Sequence, residues 1–210
     1  MIRILVADDH AILRRGIMDI LAHELEGVTC AEAGNAQEVV AQVRSEPWDL
    51  VILDITMPGR SGLDLLRDLK QLRPDLPVLI LSMHPEDQYA KRVLKAGAAG
   101  YMNKETAPKE LVKAIRKVLA GGRYVSEALA EKLAFDLGAG SANQFHEMLS
   151  DREFEVLRMI ASGKTISRIA EELHLGVTTV STYRVRILEK LGMENNSELI
   201  RYALQNRLIE

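Results

Sequence analysis

Five polar side chains in the first half of the chain stand where apolar segments end. They are Asp8, Asp9, Asp54, Ser82 and Lys104. Carboxylates that lie close together raise one another's pKa unless a cation neutralises them, and carboxylate and carbonyl oxygens suit Mg²⁺. A carboxylate can also attack phosphorus and form an aspartyl phosphate, whose oxygens a lysine and a hydroxyl can hold. These residue types therefore predict a magnesium site at which a carboxylate accepts a phosphoryl group.

The three acids of this set have different surroundings along the chain. Asp54 stands alone, ahead of a loop that begins with Thr56, and is the favoured nucleophile, whereas Asp8 and Asp9 are adjacent and form the metal-side pair. Each residue also has a simpler interpretation: Asp9 or Ser82 as a helix cap, and Lys104 as a solvated lysine. Their joint position at strand ends favours a common site.

The segments that precede these residues have the composition of β-strands. Strands are predicted at 2–7, 28–31, 50–53, 78–81 and 99–102. The third and fourth are continuously apolar, as expected of parallel strands covered on both faces. Amphipathic patterns predict helices at 11–25, 36–45, 62–72, 86–96 and 108–120. This alternation predicts an α/β doubly wound, five-stranded parallel sheet over residues 1–120, with the reactive residues at the carboxyl ends of its strands.

After residue 120 the pattern changes to helices alone. Residues 121–149 are predicted to be a linker with a short helix at 126–137 and a flexible GAGSAN stretch at 138–143. Ser150 and Glu153 have the spacing of a capping box. Helices then follow at 151–161, 166–173, 178–191 and 197–206, so residues 150–210 are predicted to form a small all-α domain.

The second and third of these helices are separated by a tight turn that contains Gly176, which predicts a helix-turn-helix. Short hydroxylated and apolar side chains share the face of the third helix opposite its core face, and arginines lie close by, as a major-groove reader requires. The candidate DNA contacts are Lys164, Thr178, Ser181, Thr182, Arg184, Val185 and Arg186. Residues 151–210 hold nine basic and nine acidic residues, so this half is neutral and an all-helical docking or dimerisation module stays open.

Composition restricts the class of protein. The chain has 210 residues, 47% hydrophobic, with a formal net charge of −3, which does not suggest a polybasic protein. A single cysteine, Cys30, cannot form an internal disulfide and indicates a reducing compartment. Neither a signal peptide nor an apolar run long enough to span a membrane is visible. We therefore expect a soluble cytoplasmic protein.

The first half resembles the receiver domain of two-component response regulators. The motifs that carry this resemblance are Asp8-Asp9, Asp54 with Met57-Pro58-Gly59, Ser82, Ala98-Ala99-Gly100-Tyr101 and Lys104. The resemblance implies phosphoryl transfer from a histidine kinase to Asp54. It implies that Mg²⁺ is bound by Asp9, Asp54 and the Thr56 carbonyl, with Asp8 assisting. It also implies that Ser82 and Lys104 contact the phosphoryl group and that Tyr101 reorients as Ser82 moves. Glu105 stands where many receivers have proline.

The second half resembles the LuxR-type DNA-binding domain, and the two halves together resemble the NarL/FixJ class of transcriptional regulators. The resemblance lies in Leu149–Glu153, Val156-Leu157, Gly163, Ile169-Ala170, Leu173, Thr179–Tyr183, Ile187 and Lys190–Gly192. It implies binding to promoter DNA and pairing of two copies through the last helix, where Leu199, Ile200, Ala203 and Leu204 form an apolar patch or pack within their own domain. Ile166, Ser167, Gly176 and Thr178 depart from the polar residues common in that family.

Together these features predict a phosphorylation-controlled transcription factor, which accepts a phosphoryl group but is not a turnover enzyme. Three alternatives remain. A phosphatase with an aspartate nucleophile would need that nucleophile on the first strand and a substrate cap. A flavin or nucleotide binder is disfavoured because the acidic loop around Asp8 lacks glycine and would repel phosphate. A phosphorylation switch that acts only through protein partners would bind no promoter DNA.

Overall fold

The computed structural model describes residues 1–57, 61–83, 86–138, 148–206 and 208–209. Its contacts divide the chain into two compact units, Met1–Phe135 and Asp136–Glu210. The division lies within the stretch that the sequence assigns to a linker. Most of the GAGSAN stretch, and the Pro58-Gly59 part of the receiver motif, lie outside the described residues. None of the helices in the described residues is long and apolar enough to cross a bilayer.

The first unit is built on a parallel sheet with helices on both sides, as the sequence predicts. Its strands are β1 (Ile2–Ala7), β2 (Val28–Ala33), β3 (Leu50–Asp54), β4 (Val78–Ser82) and β5 (Gly100–Asn103), in the order β2-β1-β3-β4-β5. The helices are α1 (Ala11–Glu24), α2 (Ala36–Ser45), α3 (Gly62–Leu72), α4 (Glu86–Lys95) and α5 (Ala107–Leu119). Helix α6 (Glu127–Gly138) follows, and the division between the two units falls within it. All four strand pairs are parallel. The doubly wound prediction is confirmed.

The central strands bring the acids together because their apolar residues are covered on both faces. Every residue of β3 and β4 is buried, as expected of central parallel strands, and their parallel pairing places the strand ends at one edge of the sheet. Ala7 pairs in register with Leu53, and Asp54 pairs with Leu81. The residues that follow β1 and end β3 and β4 are therefore neighbours across the sheet.

The outer edge of β5 is covered by the chain that follows α5. Tyr124 forms a bridge to Gly100, its N–H donating to the Ala99 carbonyl and its carbonyl accepting from the Tyr101 N–H at 3.1 Å. A Cβ on Gly100 would lie 2.6 Å from the Tyr124 carbonyl oxygen, so only glycine allows this approach. Burial, with the neighbouring Glu110 carboxylate, raises the pKa of Tyr124 to about 12. This pairing protects an exposed sheet edge.

The described part of the second unit holds α7 (Asp151–Ala161), α8 (Ile166–Glu172), α9 (Val177–Leu191) and α10 (Asn196–Gln205). The capping box at the start of α7 is present, with the Ser150 side chain accepting from the Glu153 N–H and the Glu153 side chain accepting from the Ser150 N–H. Gly192 ends α9 in the left-handed conformation, with φ 64°. The buried core of this unit includes Phe154, Leu157, Ile169, Val180, Ile187, Leu199 and Ala203. The all-α prediction is confirmed.

Candidate functional site

The site in the first unit is centred on a buried lysine held between two carboxylates. Lys104 Nζ lies 2.7 Å from Asp8 Oδ2 and 2.7 Å from Asp54 Oδ2. Lys104 directly follows β5, Asp8 directly follows β1, and Asp54 is the last residue of β3. All three are buried. Burial lowers the pKa of Lys104, but Asp54 and Asp8 outweigh that effect and the pKa lies above its usual range. One ammonium group therefore serves two carboxylates.

The second oxygen of Asp54 is held by Thr56. Asp54 Oδ1 accepts hydrogen bonds from the Thr56 backbone N–H at 2.8 Å and from the Thr56 hydroxyl at 2.6 Å. Burial raises the pKa of the Asp54 carboxyl above its usual range, and the opposing effects of Lys104 and Thr56 do not cancel it. Asp54 has no solvent exposure. A partner can therefore reach this carboxylate only after its contacts rearrange.

The exposed side of the site consists of Asp9 and His10. One ligand atom from each of Asp8, Asp9, His10 and Asp54 lies within 4.8 Å of the others. His10 Nδ1 lies 2.8 Å from Asp9 Oδ1, and the His10 backbone N–H donates to Asp8 Oδ1 at 2.8 Å. Three carboxylates around one point form a hard oxygen donor set that fits Mg²⁺. Sequence reasoning missed His10 as a donor, although it directly follows the acidic pair.

Ser82 and Tyr101 lie behind this cluster and are fully buried. Ser82 ends β4 beside Asp54, and its carbonyl accepts the Lys104 N–H at 2.8 Å. Tyr101 lies on β5, three residues before Lys104, with Ile80 as its cross-strand partner. The structure thus brings the sequence-predicted residues of the receiver half to the carboxyl end of the sheet, except Tyr101, which lies within β5.

A second residue that sequence reasoning missed is Arg14 of α1. Its Nη1 donates to the Asp8 carbonyl at 2.6 Å, and its Nε donates to Glu32 on β2 at 3.0 Å. Arg14 therefore holds the loop that carries Asp8 against the neighbouring strand. The only sequence signal was a basic residue one turn into a helix that follows an acidic loop.

In the second unit, α8, a turn and α9 form the predicted helix-turn-helix. His174 in the turn has a positive φ of 52°. On α9 the core face buries Val180, Ile187 and Leu188. Thr178, Thr182, Val185 and Arg186 are exposed and Ser181 is half-buried, while Lys164 is exposed in the loop before α8. Arg184 is turned toward the start of α10, since its Nε donates to Asn196 Oδ1 at 2.6 Å.

Most cations of this unit are engaged within the described residues. Lys164 pairs with Glu172, and Arg168 pairs with Glu171 and Glu172. Lys190 Nζ donates to Glu153 Oε2 at 2.6 Å. Burial acts to raise the pKa of Glu153, but the Lys190 ammonium and the hydrogen bonds from Ser150 outweigh it and leave the pKa below its usual range. Lys164, Arg168 and Lys190 are therefore paired with acids of the same unit.

The apolar patch expected on the last helix is divided between core and surface. Leu199 and Ala203 of α10 are fully buried. Ile200 is half-buried and Leu204 is exposed. Only the latter two remain available on this helix for contact with another molecule.

Comparison with known proteins identifies the family of each half of the chain. Residues 4–116 match the model of the response regulator receiver domain, and residues 147–203 match that of the bacterial regulatory proteins of the luxR family. The fold and the acidic site thus define a response regulator, a class of protein whose receiver is joined here to a DNA-binding domain. The chain belongs to the response regulators with a LuxR-type DNA-binding domain, and it is a DNA-binding transcriptional regulator of the NarL/FixJ class.

Similar proteins match over their whole length. The chain is 37% identical to the response regulator GacA of Pseudomonas viridiflava over 100% of this chain and 99% of that protein. It is 34% identical to the response regulator UvrY of Escherichia coli (strain K12) over 99% of this chain and 96% of that protein. A solved structure of RcsB from Salmonella enterica serovar Typhimurium, bound to promoter rprA in the presence of phosphomimetic BeF₃⁻, covers 96% of this chain and 98% of its own, with 29% identity and a TM-score of 0.65.

Proposed function

We propose that this transcriptional regulator is activated by phosphoryl transfer from a histidine kinase to Asp54. The observation that carries the proposal is the Lys104 ammonium, which lies 2.7 Å from the carboxylates of both Asp8 and Asp54 at the carboxyl edge of the sheet. A lysine between two buried acids is already positioned to follow one of them when that acid gains a phosphoryl group.

The reaction at Asp54 is an in-line exchange at phosphorus. A carboxylate oxygen of Asp54 attacks the phosphorus of the phosphohistidine, an acyl phosphate bond forms, and the phosphorus–nitrogen bond of the donor breaks. The imidazole takes up the proton that it needs from solvent. Lys104 then contacts the transferred oxygens together with the Ser82 hydroxyl, and Thr56 holds the acceptor carboxylate in position by two hydrogen bonds.

The acids of this site would hold a divalent ion. Asp8, Asp9, Asp54 and the Thr56 carbonyl would hold Mg²⁺, which when bound neutralises the repulsion between the acids and the incoming phosphoryl group. Asp9 would supply the exposed ligand of this set, and Asp54 and Asp8 share Lys104. The transfer is stoichiometric, so the protein acts as a regulator and not as a turnover enzyme.

The phosphoryl group biases two conformations of the receiver. It adds a charge of about −1.5 to −2, enough to shift a two-state protein whose forms differ by a few kcal/mol. We place the switch in Ser82 and Tyr101, because β5 carries Tyr101 and leads directly into Lys104. The Tyr101 N–H also binds the Tyr124 carbonyl, so that a shift of β5 is transmitted to the segment that leads into α6.

The output is paired binding to promoter DNA in the cytoplasm. Two copies would place α9 in successive major grooves, with Thr178, Ser181, Thr182 and Val185 at base edges and Arg184 and Arg186 at phosphates. Lys164 would reach a phosphate only on leaving its ion pair with Glu172. Ile200 and Leu204 of α10 are the surface residues available for pairing. A solved RcsB–DNA complex, 27% identical with a TM-score of 0.59, supports binding to DNA. A structure of two RcsB dimers bound to two parallel DNAs, 27% identical with a TM-score of 0.60, supports pairing.

The decisive experiment is phosphorylation by a small acyl phosphate with Mg²⁺, followed by intact mass measurement. The wild type is expected to gain one phosphoryl group and Asp54→Asn none. Asp19→Asn, an exposed acid on α1, is the matched control and should behave as the wild type. Equal uptake by the wild type and Asp54→Asn would reject Asp54 as the acceptor. If phosphorylated protein retards no duplex from a random-sequence library, a switch acting only on protein partners would replace the proposal.

A further inference from the structure

The exposed side of α9 carries apolar and hydroxyl groups where a DNA reader commonly carries cations. We call this surface the α9 reading face and define it by Val177, Thr178, Ser181, Thr182 and Val185. The two valines are 51% and 47% exposed, the largest apolar exposures on this helix. Residues spaced by three and four positions share one side of a helix, so the set forms a continuous strip. The opposite side, with Val180 and Ile187, is fully buried.

One hydroxyl of this strip already donates a hydrogen bond within the helix. Thr182 Oγ1 donates its proton to the Thr178 carbonyl at 2.9 Å. A threonine whose proton is engaged in this way cannot donate to a base, and its methyl group is the part that remains for contact. Together with Val185, it presents methyl groups side by side along the strip.

Several of the cations that could read guanine are held by other groups of the same unit. Recognition of guanine in the major groove depends mainly on arginine or lysine donating to its O6 and N7 atoms. Lys164 and Arg168 are paired with acids of α8, and Lys190 with Glu153. Arg186, beside the strip, makes no hydrogen bond or ion pair within the described part of the chain, and one such arginine suffices to anchor a phosphate.

We infer that the α9 reading face recognises DNA through the C5-methyl groups of thymine, with Val185 and Thr182 as the specificity-determining residues. The inference rests on the proposed DNA-bound function and goes beyond it by naming the chemical feature that is read. Among the groups that the four bases present in the major groove, the thymine methyl is the one that is recognised by apolar contact and not by a hydrogen bond. An exposed valine gains by covering such a methyl and contributes little to a phosphate or a guanine edge.

The test replaces thymine by uracil, which removes that methyl and nothing else. A duplex is first selected from a random-sequence library with the phosphorylated full-length chain. Its half-site thymines are then replaced one at a time by deoxyuridine, and the dissociation constants are measured by fluorescence anisotropy. At one thymine or more, the substitution is expected to weaken binding about fourfold, which corresponds to one buried methyl-sized group.

The protein variants decide whether Val185 is the partner of that methyl. Val185→Ala should weaken binding to the thymine duplex and bind the uracil duplex as the wild type does, so that the thymine preference disappears. Val185→Thr keeps the shape of the side chain and should keep part of the preference. Gln205→Ala, exposed at the end of α10, is the control and should retain the full preference.

Three results would overturn the inference. Equal affinity for thymine and uracil at every position would mean that no methyl is read. An equal loss for Val185→Ala on both duplexes would mean that the valine acts through the structure of the domain and not through the thymine methyl. Failure to bind any duplex, with or without phosphorylation, would remove the DNA-bound function and this inference with it, whereas the first two results leave that function intact.

Discussion

Asp54 in the receiver and Glu153 in the helical unit are both buried carboxylates paired with a lysine, yet their pKa values shift in opposite directions. Asp54 lies 2.7 Å from Lys104, and Glu153 lies 2.6 Å from Lys190. Each also accepts a backbone hydrogen bond, from Thr56 at 2.8 Å and from Ser150 at 2.7 Å. The pKa of Asp54 is nevertheless raised and that of Glu153 is lowered.

The difference in pKa lies in how deeply each pair is buried, since burial is the largest effect on the pKa of Asp54. The two pairs also differ in how many acids share the lysine. Lys104 also serves Asp8, and its side chain is only 6% exposed, whereas Lys190 serves Glu153 and is 41% exposed. Negative charge left uncompensated in a buried cluster can be relieved by an added ion, whereas a fully compensated carboxylate holds helices together. The first arrangement suits a functional site and the second a structural one.

Removal of the shared cation should have the largest effect. Lys104→Met leaves Asp8 and Asp54 facing each other without a counter-charge, and we expect the free energy of unfolding to fall by about 3–5 kcal/mol at neutral pH without Mg²⁺. Urea denaturation followed by fluorescence of Trp48, the single tryptophan, measures the receiver alone. Added Mg²⁺ should restore part of the loss, since binding to the native state stabilises it.

The exposed Lys113, which pairs with Glu110 on the same helix, provides the control for this change. Lys113→Met should leave the receiver transition close to that of the wild type. If Lys104→Met unfolds at the same urea concentration as Lys113→Met, the two carboxylates do not depend on the shared ammonium, and the contrast with Glu153 is lost.

Glu153→Gln should have the next largest effect, with a pH dependence that follows from the lowered pKa. A carboxylate whose pKa is lower in the folded state stabilises the protein above its unfolded pKa and loses that contribution as the pH falls through the folded value. We expect a loss of about 1.5–3 kcal/mol at neutral pH, the size of a hydrogen bond to a charged group. In urea titrations followed by circular dichroism, the gap between variant and wild type should close in acid.

These contrasts show which features the sequence could predict. Strand ends converge by topology, so Asp8, Asp9, Asp54 and Lys104 could be placed together from the apolar segments that precede them. The capping box of Ser150 and Glu153 depends on local spacing and was equally visible. In contrast, Lys190 lies 37 residues from Glu153, and no local pattern joins them. The sharing of Lys104 between two acids is likewise a matter of side-chain packing.

Element boundaries were missed where the hydrophobic signal is weak. The second strand was predicted at 28–31 but continues to Ala33, because pairing with β1 extends to Ala7 and Ala33 although Glu32 interrupts the apolar pattern. The bridge between Gly100 and Tyr124 depends on a close backbone approach that sequence spacing does not reveal. Long-range contacts thus account for most of what sequence reasoning could not supply.

Asp54→Asn should change stability in the opposite direction from Glu153→Gln. Removing one of two acids that share a lysine leaves a balanced pair of Asp8 and Lys104, and we expect the receiver to gain about 1 kcal/mol at neutral pH. Because the folded pKa of Asp54 is raised, its ionisation disfavours the folded state, and the gain should shrink as the pH falls through that value. Trp48 fluorescence in urea with a chelator measures it. A loss of stability at neutral pH would show that Asp54 is stabilising, as Glu153 is.

Glu172 extends the comparison to an exposed carboxylate. Its substitution should have the smallest effect on the free energy of unfolding, but it should change the salt dependence of DNA binding. The Lys164 ammonium lowers the pKa of Glu172, and Arg168 contacts it as well. Glu172→Gln should leave the unfolding transition unchanged, because exposed pairs add little. It frees Lys164 for phosphate, so the slope of log affinity against log salt on a non-specific duplex should steepen by about 0.9. Glu194→Gln changes the net charge equally but releases no such cation, so a matching slope in that control would mean that the pairing with Glu172 does not restrain Lys164.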